Sequence, residues 1–177
     1  MDLGLISVRY ARALFKAGAE VKLEDKVYQE MQTLSKSYIK VPELRFTIDN
    51  PMLPKTTKEQ LLLTASGDKP CALTKTFIKL VLKEDRESMM QFIANSYITL
   101  YRRQKKLIRA KLLTATTVSS ATEQKLRKLV ESQTNGTVEF ETETNPSIIG
   151  GFILEYDTYR LDMSVKSKLT TILSQLK

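Results

Sequence analysis

The sequence predicts an α+β protein of two domains, an N-terminal six-helix bundle over 1–105 and a small β-α-β-β-α domain over 106–177. Two observations carry this. Apolar residues recur at helical spacing from Leu5 to about Lys106, and period-two segments appear after it. The connections between the helical segments are short, as in compact bundles.

The first helix is expected over about Leu5 to Glu20. At 100° per residue, Ile6, Tyr10, Ala13, Leu14 and Ala17 share one stripe, while Val8, Ala11, Phe15 and Ala19 form a second, nearly opposite. Arg9, Arg12, Lys16 and Glu20 fill only the sector between. A second helix, Leu23 to Ile39, points Val27, Met31, Leu34 and Tyr38 inward. Pro42 suits the first turn of a short third helix that Asn50-Pro51 closes. Pro54 opens a fourth, with Leu61, Leu62 and Leu63 inward, and Ser66 to Pro70 is a loop. The fifth helix, Cys71 to Glu84, holds Leu73, Phe77, Ile78, Leu80, Val81 and Leu82 over an arc of roughly 200°, where a surface helix needs about half that. The sixth, Arg86 to Lys106, turns Met89, Phe92, Ile93, Ser96 and Leu100 inward.

A strand then runs from Ile108 to Val118, with Ile108, Ala110, Leu112, Thr114, Thr116 and Val118 on one face and Arg109 and Lys111 on the other. Ser120 to Glu123 reads as a capping box for a helix burying Leu126, Leu129 and Val130, which Asn135-Gly136 ends. Val138, Phe140, Thr142 and Thr144 alternate with Glu139, Glu141 and Glu143 in a half-exposed strand. Gly150-Gly151 leads into a strand with Phe152, Leu154 and Tyr156 on one face, and Tyr159 to Leu161 returns across Asp157-Thr158. Asp162 or Ser164 caps a last helix whose Val165, Leu169, Ile172, Leu173 and Leu176 face inward.

Composition excludes most chemistry. With no His among 177 residues, imidazole bases, His-dependent triads and His-ligated zinc are out. A single cysteine, Cys71, rules out an internal disulfide or a CxxC pair, and at a helix start it reads as a small core residue. No glycine falls in a GxGxxG or Walker pattern. Ile148 to Leu154 is the longest strictly apolar run, far short of a membrane span, and Arg9 and Arg12 interrupt any signal-peptide segment. Three glutamates on one strand face read as solvation, and Ser88, Ser119 and Ser120 lack the spacing of a Ser–Lys nucleophile. The expected class is a non-catalytic protein with no catalytic residues, cofactor or metal, living where thiols stay reduced.

Two features remain. The basic run Arg102, Arg103, Lys105, Lys106, Arg109 and Lys111 reads either as a nucleic-acid patch or as solvated cations around a helix end. The surplus apolar surface on the first and fifth helices reads either as two helices central in the bundle or as a groove that accepts an amphipathic helix. Ala13 and Ala17 suit the groove, since small residues let a partner approach.

Several segments carry a resemblance over essentially the whole length. Arg9-Tyr10-Ala11-Arg12-Ala13-Leu14-Phe15, Asn50-Pro51 followed by Lys58, the run Lys111 to Thr117, and above all Asn145-Pro146-Ser147-Ile148-Ile149-Gly150-Gly151-Phe152-Ile153-Leu154 followed by Asp162-Met163-Ser164-Val165 resemble the delta subunit of F-type ATP synthase, the family of the mitochondrial oligomycin-sensitivity-conferring protein. Asp157 departs at a turn where the family would have Gly, Ser, Glu or Asn. The resemblance implies a stator subunit that links the catalytic head to the peripheral stalk and resists rotor torque during proton-driven ATP synthesis. It is expected in one copy, peripheral to the cytoplasmic face of the bacterial inner membrane, with no insertion of its own. It implies alpha subunits of the head as partners, an alpha N-terminal helix lying against Ile6, Tyr10, Ala13, Ala17, Phe77 and Leu80, and a C-terminal domain gripping the end of the stalk's b subunits. Asn145, Pro146, Gly150, Gly151 and Phe152 are the family signature. The rival reading is a basic nucleic-acid-binding module using Arg102 to Lys111.

Overall fold

The computed structural model describes residues 3–134, 136–156 and 158–175. Asn135, Asp157 and Leu176, and the side chain of Leu129, lie outside the described residues, and with them the roles expected of each in a helix end, a turn and a packed face. The described residues form eight α-helices and a four-stranded sheet, in two compact units, Met1–Arg103 and Gln104–Lys177. No helix among the described residues is long and apolar enough to cross a membrane.

The first unit contains α1 (Leu3–Glu20), α2 (Glu24–Lys40), α3 (Glu43–Asp49), α4 (Lys55–Ala65), α5 (Ala72–Lys83) and most of α6 (Met90–Lys105), with a 3₁₀ turn at Glu87–Met89 before α6. Val27, Met31, Leu34 and Tyr38 of α2 are all buried, since the i, i+4, i+7, i+11 spacing keeps them on one side of the helix. Of the three leucines on α4, Leu62 is fully enclosed, with Leu61 and Leu63 half-buried to either side. The inward line of α6 differs from the expected one. It runs through Met90, Ile93, Ala94, Tyr97 and Tyr101, while Phe92 is 42% exposed beneath the Arg45 guanidinium. Aromatic packing sets that rotation: Tyr97 and Tyr101 both meet Phe15, and Tyr101 stacks on Tyr28 at 4.1 Å.

α1 also turns differently. Its most enclosed line is Ser7, Ala11, Leu14 and Gly18, which lies between the two expected stripes. The line is built from small residues because neighbours come close. The Ser7 and Ser96 hydroxyls lie 3.2 Å apart, and a Cβ on Gly18 would stand 3.3 Å from the Glu24 Cα. Ile6, Tyr10 and Ala17 are left half-buried on one flank and Ala13 exposed; on the other flank Phe15 is half-buried and Val8 is 40% exposed.

The second unit is β1 (Leu107–Thr114), α7 (Ser120–Thr134), β2 (Thr137–Thr144), a 3₁₀ turn (Pro146–Ile148), β3 (Phe152–Tyr156), β4 (Tyr159–Asp162) and α8 (Val165–Gln175). It therefore has one strand more than the expected β-α-β-β-α layout, because the return at Tyr159 forms a ladder of its own with β3. The sheet order is β2-β1-β3-β4, with β1 parallel to β2 and the other pairs antiparallel. Only a crossover can join parallel neighbours, and α7 is that crossover. Ala110 pairs with Phe140 and Tyr156, and Leu112 with Leu154, placing them on one face. That face packs with Val130, Val138, Leu126 and Phe152 into the core.

β1 stops at Thr114, short of Val118, where the Thr114 hydroxyl donates to the Thr116 carbonyl. The cap of α7 is Ser119 rather than Ser120. Its Oγ accepts from the Thr122 backbone N–H at 3.3 Å, and Glu123 pairs one turn on with Arg127 instead of closing a box. At the entry to α8, Asp162 and Ser164 act together: Asp162 Oδ1 accepts from the Ser164 backbone N–H, and Ser164 Oγ from that of Ser167.

The expected inward face of α8 points the other way. Val165, Leu169, Ile172 and Leu173 are 38%, 47%, 52% and 63% exposed. On its other side Ser167, Thr170, Thr171 and Ser174 border a cavity of about 570 Å³ whose far wall includes Leu113 and Ile153 of the sheet, and none of the described side chains of α8 is buried. The hydroxyls of Thr170, Thr171 and Ser174 donate to carbonyls of α8 itself, and that of Ser167 donates to Asp162, so each of these hydroxyls has a partner close by in the chain.

Candidate functional site

The surface that stands out is an open groove between α1 and α5 of about 890 Å³. Leu5, Ile6, Tyr10, Ala13, Leu14 and Ala17 line it from α1, and Leu73, Thr76, Phe77 and Leu80 from α5. All six residues singled out in the sequence, Ile6, Tyr10, Ala13, Ala17, Phe77 and Leu80, come together here. Ile78, Val81 and Leu82 point into the first unit's own core, Phe77 is buried at the groove floor, and what remains of the wide apolar arc, Leu73 and the 47% exposed Leu80, faces the groove. The Thr76 hydroxyl donates to the Ala72 carbonyl, so that wall carries no unpaired hydroxyl.

Buried polar contacts fix the walls. Glu30 of α2, 7% exposed, accepts the backbone N–H of Cys71 at 2.7 Å and so holds the start of α5. Cys71 is buried at that helix's N-cap, where its sulfur takes the Thr74 backbone N–H. At the other end of α5, Lys58 meets Glu87 at 2.7 Å with its own side chain 4% exposed. Lys55 meets Asp85 at 2.6 Å, and the ammonium's hydrogen bond and charge hold the Asp85 carboxyl below its usual range. Both pairs tie α4 to the turn between α5 and α6. Spacing missed Glu30 and Glu87, since a lone acid in a helical pattern carries no periodic signal.

Three members of the basic run are held by partners within their own unit. Arg102 donates to the Tyr28 hydroxyl at 2.9 Å. Arg109 pairs with Glu141, and Lys111 with Glu143 at 2.6 Å, so the alternating acids of β2 answer the cations of β1 across the parallel ladder. That hydrogen bond raises the Lys111 pKa. Nothing in this arrangement supports nucleic-acid binding.

The family signature is a backbone device. Asn145 Oδ1 accepts from Ser147, Pro146 opens the 3₁₀ turn, and Ile149 sits at φ 70°. Gly150 accepts the Val165 backbone N–H at 3.0 Å, Gly151 has φ 75°, and Phe152 accepts from Met163 at 2.9 Å. The two glycines let β3 enter directly beneath the start of α8.

The profile of the family described as "ATP synthase delta (OSCP) subunit" matches residues 6–176. The chain belongs to the ATP synthase delta (OSCP) subunit family. Among similar proteins, the "ATP synthase subunit delta" of Phocaeicola vulgatus is 44% identical over 176 residues, covering 99% of this chain and 95% of that one. That of Parabacteroides distasonis is 40% identical over 172 residues, covering 97% and 96%. A chain of the mitochondrial ATP synthase hexamer of Toxoplasma gondii shares the fold of this delta-family chain, with a TM-score of 0.63 at 23% identity over 96% of each.

Proposed function

We infer that this chain is a non-catalytic stator subunit of an F-type ATP synthase. It links the catalytic head to the membrane-anchored peripheral stalk, so that rotor torque drives conformational change in the nucleotide sites instead of spinning the head. The observation that carries this, beside family membership, is the α1/α5 groove with its floor of Tyr10 and Phe77. A joint under torque needs a long residence time rather than chemistry, and an amphipathic helix laid in an apolar groove supplies it.

The first unit, read as a six-helix bundle, takes the N-terminal helix of an alpha subunit against Ile6, Tyr10, Ala13, Ala17, Phe77 and Leu80. The second unit takes the C-terminal end of the b subunits. Its support is the outward apolar face of Val165, Leu169, Ile172 and Leu173 on α8, joined by Leu161 and Met163, a surface left for another helix to cover. The protein works in one copy, peripheral to the cytoplasmic membrane face, with no active site, cofactor or metal of its own.

Co-purification tests the assignment. The tagged chain brings down ATP synthase subunits; Ala13→Asp loses head subunits and keeps b, and Leu173→Asp does the reverse. Failure of the parent chain to retain either set sinks the assignment.

A further inference from the structure

α8 carries half of a short coiled-coil seam. Val165, Leu169, Ile172 and Leu176 follow one another at steps of four, three and four residues, the a/d spacing of a heptad. Val165, Leu169 and Ile172 are all exposed, and so is Leu173 beside them. In this register Lys166 takes an e position and Lys168 a g position, so one lysine flanks the seam on each side. Both side chains are exposed, and neither ammonium is in an ion pair among the described residues.

The flanks hold no acid to set against these lysines. No Asp or Glu follows Asp162 in the chain, and Asp162 is itself held by Ser164 and Ser167. The seam also sits on a helix whose start is already fixed. The Val165 backbone N–H donates to the Gly150 carbonyl at 3.0 Å, and Ser164 Oγ takes that of Ser167. A helix docking here does not have to nucleate α8 first.

An apolar seam alone accepts any amphipathic helix, a second copy of α8 included. The lysines narrow the choice. In a two-helix seam the flanking rows of one helix face those of the other, so cations on both sides favour acids on both sides of the partner and repel basic ones. A second α8 brings lysines and no carboxylate. We propose that α8 docks with a helix whose own a and d positions are apolar and whose flanking positions carry Asp or Glu, and that pairing with Lys166 and Lys168 selects this helix over a second copy of the chain. This rests on the outward face of α8 being the site for the end of the b subunits.

The test titrates the intact chain with a synthetic peptide of the b subunit's C-terminal segment from the same synthase, at low and high salt. Lys166→Glu with Lys168→Glu changes two exposed side chains, and circular dichroism checks that the fold is kept. The double reversal weakens binding about tenfold at low salt, and the loss shrinks to about twofold in 1 M salt, as for rim charges. Replacing the peptide's acids by their amides gives the same salt-sensitive loss with the parent chain. That peptide no longer distinguishes the double variant from the parent. If the double variant and the amide peptide both bind normally at both salts while Leu173→Asp abolishes binding, the charge match is wrong and the seam stands. If Leu173→Asp also binds normally, the assignment of this face to b falls with it. A dimer of the free chain in sedimentation, dissolved by Leu173→Asp, overturns the selection against a second copy.

Discussion

The rings of Tyr10 and Phe77 meet edge to face, with centroids 6.3 Å apart and planes at 70°. This contact joins α1 to α5 at the groove floor, and it leaves Ala13 and Leu80, each one turn further along its helix, on the walls. Ala13 is exposed, so Ala13→Asp leaves folding almost unchanged. In the proposed docking groove the same change puts a charge on the wall offered to a partner helix. Binding of the alpha-subunit N-terminal peptide falls by about 2 kcal/mol or more. Calorimetric titration of the folded variant measures it, and unchanged affinity removes Ala13 from the site.

Wherever one side of an element was apolar and its neighbour large, the sequence was legible. Val27, Met31, Leu34 and Tyr38 of α2, and Ala110, Leu112 and Leu154 of the sheet, lie where their periodicity puts them. Periodicity showed that α1 and α5 hold surplus apolar surface but left open whether their own unit covers it; the six groove residues themselves came from the family resemblance, and they line one groove. Small and polar contacts were not legible. The inner line of α1 passes through Ser7 and Gly18, whose value is closeness rather than hydrophobicity. Periodicity located the apolar stripe of α8 correctly and gave its direction wrongly. A stripe says which residues belong together, and an outside partner can be what they face.

Lys58 and Glu87 form a largely enclosed ion pair of the first unit, with side chains 4% and 15% exposed. Removing one member of such a pair leaves an uncompensated charge out of water, so Lys58→Met destabilises the chain by about 3 kcal/mol or more. Lys58→Met with Glu87→Gln recovers a good part of that loss. Urea denaturation followed by circular dichroism reads both. A loss below about 1 kcal/mol in the single variant shows that water already reaches the pair.

Gly151 is exposed, yet its backbone comes close to that of the segment entering α8. A Cβ there would lie 2.2 Å from the Met163 carbonyl oxygen, and its φ of 75° already disfavours an L side chain. Since the atom met is backbone, relief requires moving β3 or the segment entering α8. Gly151→Ala therefore destabilises the second unit by about 2 kcal/mol or more. Gly67→Ala, at φ 125° with nothing within 4 Å of its Cβ, pays for strain alone and loses less. Comparing the two thermal unfolding midpoints separates contact from conformation.

Asp162 links that same entry to pH. Its Oδ1 accepts from the Ser164 backbone N–H at 3.0 Å and its Oδ2 from the Ser167 hydroxyl at 2.8 Å. Hydrogen bonds from Ser164 and then Ser167 hold the carboxyl below its ordinary value. A carboxylate favoured by the fold stabilises it fully above the unfolded pKa of about 4 and loses that contribution as pH falls through the lower native value. Between pH 5 and 8 this group leaves the start of α8 unchanged. Below pH 4 the Ser164 and Ser167 amide resonances shift together, with a midpoint under the unfolded pKa. Asp162→Asn, which keeps an oxygen acceptor but cannot ionise, removes that acid step without unwinding α8 at neutral pH. A midpoint at or above the ordinary carboxylate value in the parent chain means that the two bonds do not favour the charged form.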